Sequence, residues 1–257
     1  MTAFQVVARN YSKASENKIH SDEIARRYGF RGALVPGVAV YGHLTRPLVE
    51  CYGERWLGHS TSSVRFLQPA YDGDTLQISR VEDETGEHVQ CTNAEGTLLA
   101  TLDSTLPDRL PDLEDQSCFD DAEKSAERVD MTWDNVVVGQ PFRAWHWQIT
   151  EDGNQTYARQ VSDDLGIYRF AAHPHWILST ANTALTREFV MPAWIHVGSE
   201  IRFREQLKAG DTVKISALPV DKWERKGHQF VKLYLAYSRD ATVTTEIFHT
   251  AIFRVAE

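Results

Sequence analysis

Short runs of this chain alternate apolar and polar residues. Val64 and Phe66, then Leu76 and Ile78, are spaced by two on either side of a Gly73–Asp74 turn, which predicts two strands. The pattern returns with Ile201, Phe203, Val213 and Ile215 around Gly210–Asp211. Val231, Leu233, Leu235 and Tyr237, then the stretch from Val243 to Phe253, have strand composition as well. Ahead of each strand block lies a segment that is apolar nearly all round. One runs from Gly37 to Val49 beside Pro36, the other from His175 to Leu185 after Pro174. Proline suits a first helical turn, and an all-apolar helix must be enclosed. A shorter polar helix is predicted from Ser21 to Tyr28, with Ser21 as N-cap, Asp22 and Glu23 in the first turn, and Gly29 as its stop.

The recurrence is a duplication. HSTSSVRFLQPAYDGDTLQIS from His59 aligns with HVGSEIRFREQLKAGDTVKIS from His196, an offset of 196 − 59 = 137, and 9 of the 21 positions are identical. Unrelated stretches would share roughly one or two. The chain therefore reads as two copies of a unit of about 120 residues, long enough for each to bury a core.

Charge separates the copies. Residues 1–106 carry 10 basic and 13 acidic groups, residues 107–130 carry 3 and 9, and residues 131–257 carry 14 of each. The middle stretch, with Pro107 and Pro111, reads as a solvated acidic linker. It supplies −6 of the net −9 of the 257 residues. That balance gives no electrostatic reason to expect a nucleic acid or an anionic membrane as partner. Cys51, Cys91 and Cys118 are odd in number and widely spaced, which fits a reducing compartment such as the cytoplasm. The longest uncharged stretch, from Phe170 to Thr186, has 17 residues and includes His173, His175 and Asn182, too short and too polar for a membrane span.

The stretch YSKASENKIHSDEIARRYGFRGALVPGVAVYGHL, from Tyr11 to Leu44, resembles the MaoC-type acyl dehydratases, the (R)-specific enoyl-CoA hydratase family. Their signature runs roughly S-G-D-x-N-P-[LI]-H, then an Ala-containing helix, a G-F/Y turn and a V-P-G. Asn17, Ile19, His20, Ala25, Gly29, Phe30, Val35, Pro36 and Gly37 fall in place. The resemblance implies an α+β tandem double hotdog: each copy a curved antiparallel sheet wrapped around a central helix, with residues 1–106 and 131–257 as the two units.

It also implies a chemistry, hydration of 2-enoyl or dehydration of 3-hydroxyacyl thioesters carried on CoA or a carrier protein. His20 would be the base, Asn17 an orienting group, and the Gly37 N–H an oxyanion donor at a helix N-terminus. Two family positions are altered. Ser15 stands where the family has its catalytic Asp and Lys18 where it has Pro; Glu16 is the neighbouring carboxylate. In the second copy Asp163 holds the Asp position, but Tyr168 holds the His position. The candidate catalytic residues are thus His20, Asn17 and Asp163. Ser15, Gly37, Tyr41, Tyr168, His173 and His175 are candidates for touching substrate, with His175 as the second copy's donor.

Other readings stay open on the same fold: thioester hydrolysis, isomerisation or cyclisation, or a non-catalytic acyl-binding subunit. His173 and His175 flank Pro174 at i and i+2, not the i, i+4 of a helical metal pair, so no metal is expected. No Gly-rich phosphate loop calls for a nucleotide cofactor. The tandem copies already form a pseudo-dimer, which leaves a homodimer open. His59 and His196 hold equivalent repeat positions, which favours structure over catalysis for both.

Overall fold

The computed structural model describes residues 2–121 and 127–256. In the first copy, strand β1 (Thr2–Val7) is followed by a short turn of 3-10 helix at Lys18–His20, then α1 (Asp22–Arg27), α2 (Gly37–Tyr52) and α3 (Glu54–Gly58). Strands β2 (Ser60–Phe66), β3 (Thr75–Asp83), β4 (Gly86–Thr92) and β5 (Leu98–Thr105) complete it. A two-residue strand β6 (Val129–Asp130) precedes the second copy. That copy comprises β7 (Trp145–Gln148), α4 (Glu151–Gln160), α5 (Pro174–Glu188), β8 (Phe189–Val190), β9 (Ile195–Phe203), β10 (Thr212–Arg225), β11 (His228–Arg239) and β12 (Thr242–Arg254).

Ten strands form one sheet in the order β1-β3-β4-β5-β2-β9-β12-β11-β10-β7, every neighbouring pair antiparallel. The order is palindromic in the repeat, and the copies join where β2 pairs with β9. Ser63 lies opposite Glu200 there, and 200 − 63 = 137, the offset read from the sequence. A residue facing its own repeat equivalent marks the pseudo-two-fold axis.

The two enclosed helices lie back to back against this sheet. The first starts at Gly37 as predicted, the second at Pro174, one residue before the predicted His175, and they run a few residues beyond Val49 and Leu185. Their approach depends on Gly42: a Cβ there would stand 3.0 Å from His175 Cβ and 3.0 Å from Val161 Cγ1. One apolar core runs through both copies, from Tyr41, Leu44 and Trp56 to Ile177, Leu185 and Ile247.

Two expectations need correction. Ser21 occupies the N-cap position of α1 but its hydroxyl donates back to the Lys18 carbonyl at 2.8 Å, so it makes no side-chain cap. The acidic segment is mostly exposed from 107 to 118, as a solvated linker would be, but it is tied down at a few points. It lies across the outer face of β11 and β12, where the Glu114 N–H donates to Glu246 Oε1 at 3.1 Å and Arg204 Nη2 donates to the Pro111 carbonyl at 2.6 Å. Phe119 is buried and stacks on Tyr234. The carboxylate of Glu246 is fully buried, and Arg204 Nε and the Tyr234 hydroxyl also donate to it. Residues 122–126 of the segment fall outside the described residues.

Candidate active site

His20 sits on the 3-10 turn that precedes α1. Asn17 caps this turn by accepting from the Ile19 N–H at 3.3 Å. The rest of its carboxamide crosses to the second copy: Nδ2 donates to the Trp194 carbonyl at 2.9 Å and Oδ1 accepts the Trp194 N–H at 3.1 Å. Asn17 thereby clamps the histidine-bearing turn onto the other copy, and its Nδ2 comes within 3.5 Å of His20 Nε2.

The tautomer of His20 follows from its partner. Nδ1 lies 2.8 Å from the Leu34 carbonyl, which can only accept, so Nδ1 carries the proton and Nε2 keeps its lone pair. Burial lowers the pKa of this imidazole below the ordinary 6.5, while the bond to Leu34 opposes the shift.

His20 lines three cavities, and two of them adjoin through further shared residues. The inner one, about 200 Å³, is walled mostly by apolar groups including Phe30, Val40, Phe66 and Leu99, and the first residue of α2, Gly37, lines it too. The outer one, about 350 Å³, is walled by polar groups including Ser15, Glu16, Tyr157, His175 and Thr183. Asn17, His20, Pro36, Asn182 and Trp194 line both, so these five residues stand where the two cavities meet. No side chain caps the N-terminus of α2. Its positive end and free N–H groups suit an oxygen that gains negative charge.

The second copy closes what the first leaves open. His173 caps α5, its Nδ1 accepting the His175 N–H at 3.1 Å. The donor expected at His175 is therefore already taken. With Nδ1 accepting, His173 Nε2 is the donor toward Asp163 Oδ2 at 3.3 Å. Tyr168 stacks at a tilt on His173, and Arg46 of α2 reaches Asp163 at 3.5 Å and Asp164 at 2.7 Å. Asp163, Tyr168 and His173 are all buried, and none lines either cavity. Tyr41 is likewise buried in the core and lines neither.

Of the expected site residues, the structure gathers His20, Asn17 and Gly37 at the inner cavity and His20, Asn17, Ser15 and His175 at the outer one. Asp163, Tyr41, Tyr168 and His173 lie apart. Ser15 Oγ donates to the Asn17 carbonyl at 3.2 Å. Glu16 is exposed and held by Arg128 at 3.1 and 2.7 Å, and that guanidinium keeps its pKa below the usual carboxylate value. His175 is buried, its Nδ1 donates to the Tyr157 carbonyl at 3.2 Å, and burial, with His173 adding to it, pulls its pKa down to about 3. His59 and His196 differ in role: His59 Nε2 bonds the Pro107 carbonyl at 2.8 Å, whereas His196 lines the inner cavity and bonds Ser199 Oγ at 2.9 Å.

Sequence reasoning did not single out Asn182. A signal existed: His175, Ser179, Asn182, Thr183 and Thr186 recur at i, i+4, i+7, i+8 and i+11, a polar stripe on an otherwise apolar helix, and all five line the outer cavity. Among the described residues, no group of three or more His, Cys, Asp or Glu is placed to hold a metal, and no helix is long and apolar enough to cross a membrane.

No family model matches the chain, and no curated protein matches it significantly. Solved structures do. A protein of Chloroflexus aurantiacus, assigned as a MaoC domain protein dehydratase, superposes with a TM-score of 0.68 at 14% identity, covering 99% of this chain and 96% of its own. A conserved hypothetical protein of Mycobacterium tuberculosis, described as a double hotdog, gives 0.62 at 14%, covering 98% and 95%. A protein of Lactobacillus plantarum, assigned as an oleoyl thioesterase, gives 0.50 at 11%, covering 99% and 96%. The chain has the double hotdog fold, and the resemblance to MaoC-type proteins holds at the level of that fold.

Proposed function

We propose that this chain hydrates 2-enoyl thioesters, and runs the reverse dehydration of 3-hydroxyacyl thioesters, at one site in the first copy. One observation supports the reading: His20, whose Nδ1 bonds Leu34 and leaves Nε2 unprotonated, and Gly37, at the uncapped N-terminus of α2, line a single cavity. MaoC-type dehydratases share the fold, and Asn17-Lys18-Ile19-His20 keeps most of their motif.

In this reading the acyl chain occupies the apolar inner cavity and the thioester arm lies in the polar outer one. The thioester carbonyl points at the Gly37 N–H. Water bound at His20 Nε2 gives that nitrogen a proton while its oxygen bonds the β-carbon. The electrons pass through the conjugated system to the carbonyl oxygen, which the helix N-terminus stabilises. The proton on Nε2 then goes to the α-carbon. Water is thus added across the double bond, and His20 ends as it began. Its lowered pKa keeps it unprotonated and ready at neutral pH. In the second copy, His173 caps the N-terminus of α5 and Tyr168 is buried, so neither equivalent position is offered to a substrate.

The test is loss of the conjugated-enoyl absorbance with crotonyl-CoA and longer 2-enoyl-CoAs. Native protein should turn over, and His20→Ala should lose about 100- to 10,000-fold in kcat, the range supplied by a positioned acid–base group. Activity that survives His20→Ala would overturn the assignment of the base. Absence of turnover on every enoyl and hydroxyacyl thioester would overturn the hydratase reading and leave hydrolysis or acyl binding.

A further inference from the structure

The hydratase reading leaves His20 without the carboxylate that its motif would place at Ser15. Among the described residues, no Asp or Glu lines the inner cavity, and the outer one has only Glu16, which Arg128 holds; Asp22, Asp72 and Asp74, in a third cavity that His20 lines, are engaged by the Ala33 N–H, Lys13 and Arg31. We infer that Asn182, carried by α5 of the second copy, positions the reacting water against His20 in place of that carboxylate.

Three observations meet at this residue. Asn182 lines both cavities, as His20 does, which places both residues where the two cavities meet. Its Oδ1 is buried with no hydrogen-bond partner. A buried amide oxygen left unmet is destabilising, so a purely structural Asn at this place would be a poor choice. Third, Asn17, the other carboxamide lining both cavities, is already spent on Trp194. Asn182 is the carboxamide left over for a ligand.

The chemistry that follows differs from that of a carboxylate–imidazole pair. With its amide turned so that the oxygen faces the cavity, Asn182 accepts one hydrogen of the water and directs the water's lone pair toward the β-carbon, but it cannot take the proton. His20 Nε2 alone receives the proton and alone returns it to the α-carbon. The site becomes a one-base hydratase whose water is steered by the opposite copy, so that neither copy holds a complete site.

This inference rests on the reading above, and its test keeps the two apart. Steady-state kinetics on crotonyl-CoA should show kcat falling about 10- to 100-fold in Asn182→Ala, with KM little changed, as expected when a reactant is misplaced. Asn182→Asp should move the acidic limb of the kcat profile to higher pH, because a carboxylate near His20 favours its protonated form. The second readout needs no turnover: the His20 imidazole, followed by NMR and assigned with His20→Gln, should titrate at higher pH in Asn182→Asp than in the native protein. If Asn182→Ala fails to fold, Asn182→Ser replaces it in the kinetic test. A native-like kcat in the neutral variant, or an unmoved His20 titration in Asn182→Asp, overturns the role of Asn182 even where the native enzyme is active. Native inactivity with a moved titration overturns the hydratase reading and upholds only the placement of the two residues.

Discussion

Replacing Asn17 by alanine tests whether this residue holds the site together. Its carboxamide meets both the N–H and the C=O of Trp194, a residue only 4% exposed. Alanine leaves that buried donor and acceptor unmet, at about 1–3 kcal/mol each, so the loss should be about 3 kcal/mol or more. For a chain of this size each kcal/mol moves the melting temperature by about 2–4 °C, which gives a drop of about 6–12 °C. Asn17→Asp should be at least as damaging. It can still accept from Trp194 N–H, but it sets a charged oxygen against the Trp194 carbonyl. Differential scanning calorimetry reads both variants. A melting temperature within about 2 °C of native for Asn17→Ala would refute the clamp, because an unmet buried pair cannot be that cheap.

Four further outcomes are expected. A methyl at position 37 would stand 3.0 Å from Phe66 Cε2, so Gly37→Ala should push that ring into the inner cavity; kinetics on short enoyl thioesters should show kcat/KM falling about 10-fold. Burial holds His43 at a pKa of about 4 and His175 and His249 at about 3. The unfolded chain takes up these protons below pH 6.5 and the folded chain does not. Stability is therefore full above pH 6.5 and is lost as pH falls toward those values, by at most about 1.4 kcal/mol per pH step for each histidine; urea unfolding at pH 7 and 5.5 gives the slope. Asp163→Asn should lower stability by about 1–3 kcal/mol in the same assay while kcat stays close to native, since the carboxylate holds His173 and Leu165 and lies outside both cavities. The kcat profile should fall on the acid side at a pH below 6.5, following the lowered pKa of His20.

What was legible in the sequence is what local chemistry fixes. The Gly-Asp-Thr turns at 73–75 and 210–212 survive in both copies because Gly73 and Gly210 adopt positive φ, and they revealed the 137-residue offset that the β2–β9 joint realises. The starts of α2 and α5 were legible from their prolines, and His20 from its motif. Contacts between distant segments were not. Asn17 reads locally as a turn residue, yet its strongest bonds go to Trp194, 177 positions away. The acidic segment reads as solvated, yet Phe119 and Glu114 find partners on β11 and β12 that no local pattern announces. The strand β1 and the helices α3 and α4 were not anticipated either. Asp163 and Tyr168 looked like half of a site by alignment, and folding turned them inward around His173.

The joint between β2 and β9 has a consequence for how the protein behaves on dilution. A site assembled from two separate chains comes apart when their concentration falls below the dissociation constant. Here the histidine-bearing turn and the Trp194 backbone that anchors it belong to one polypeptide, so the local concentration of one copy around the other is set by the tether and not by the solution. This joint therefore does not come apart on dilution. It also means that the second copy need not offer a pocket of its own for the first to keep one, and there the end of α5 is capped by His173.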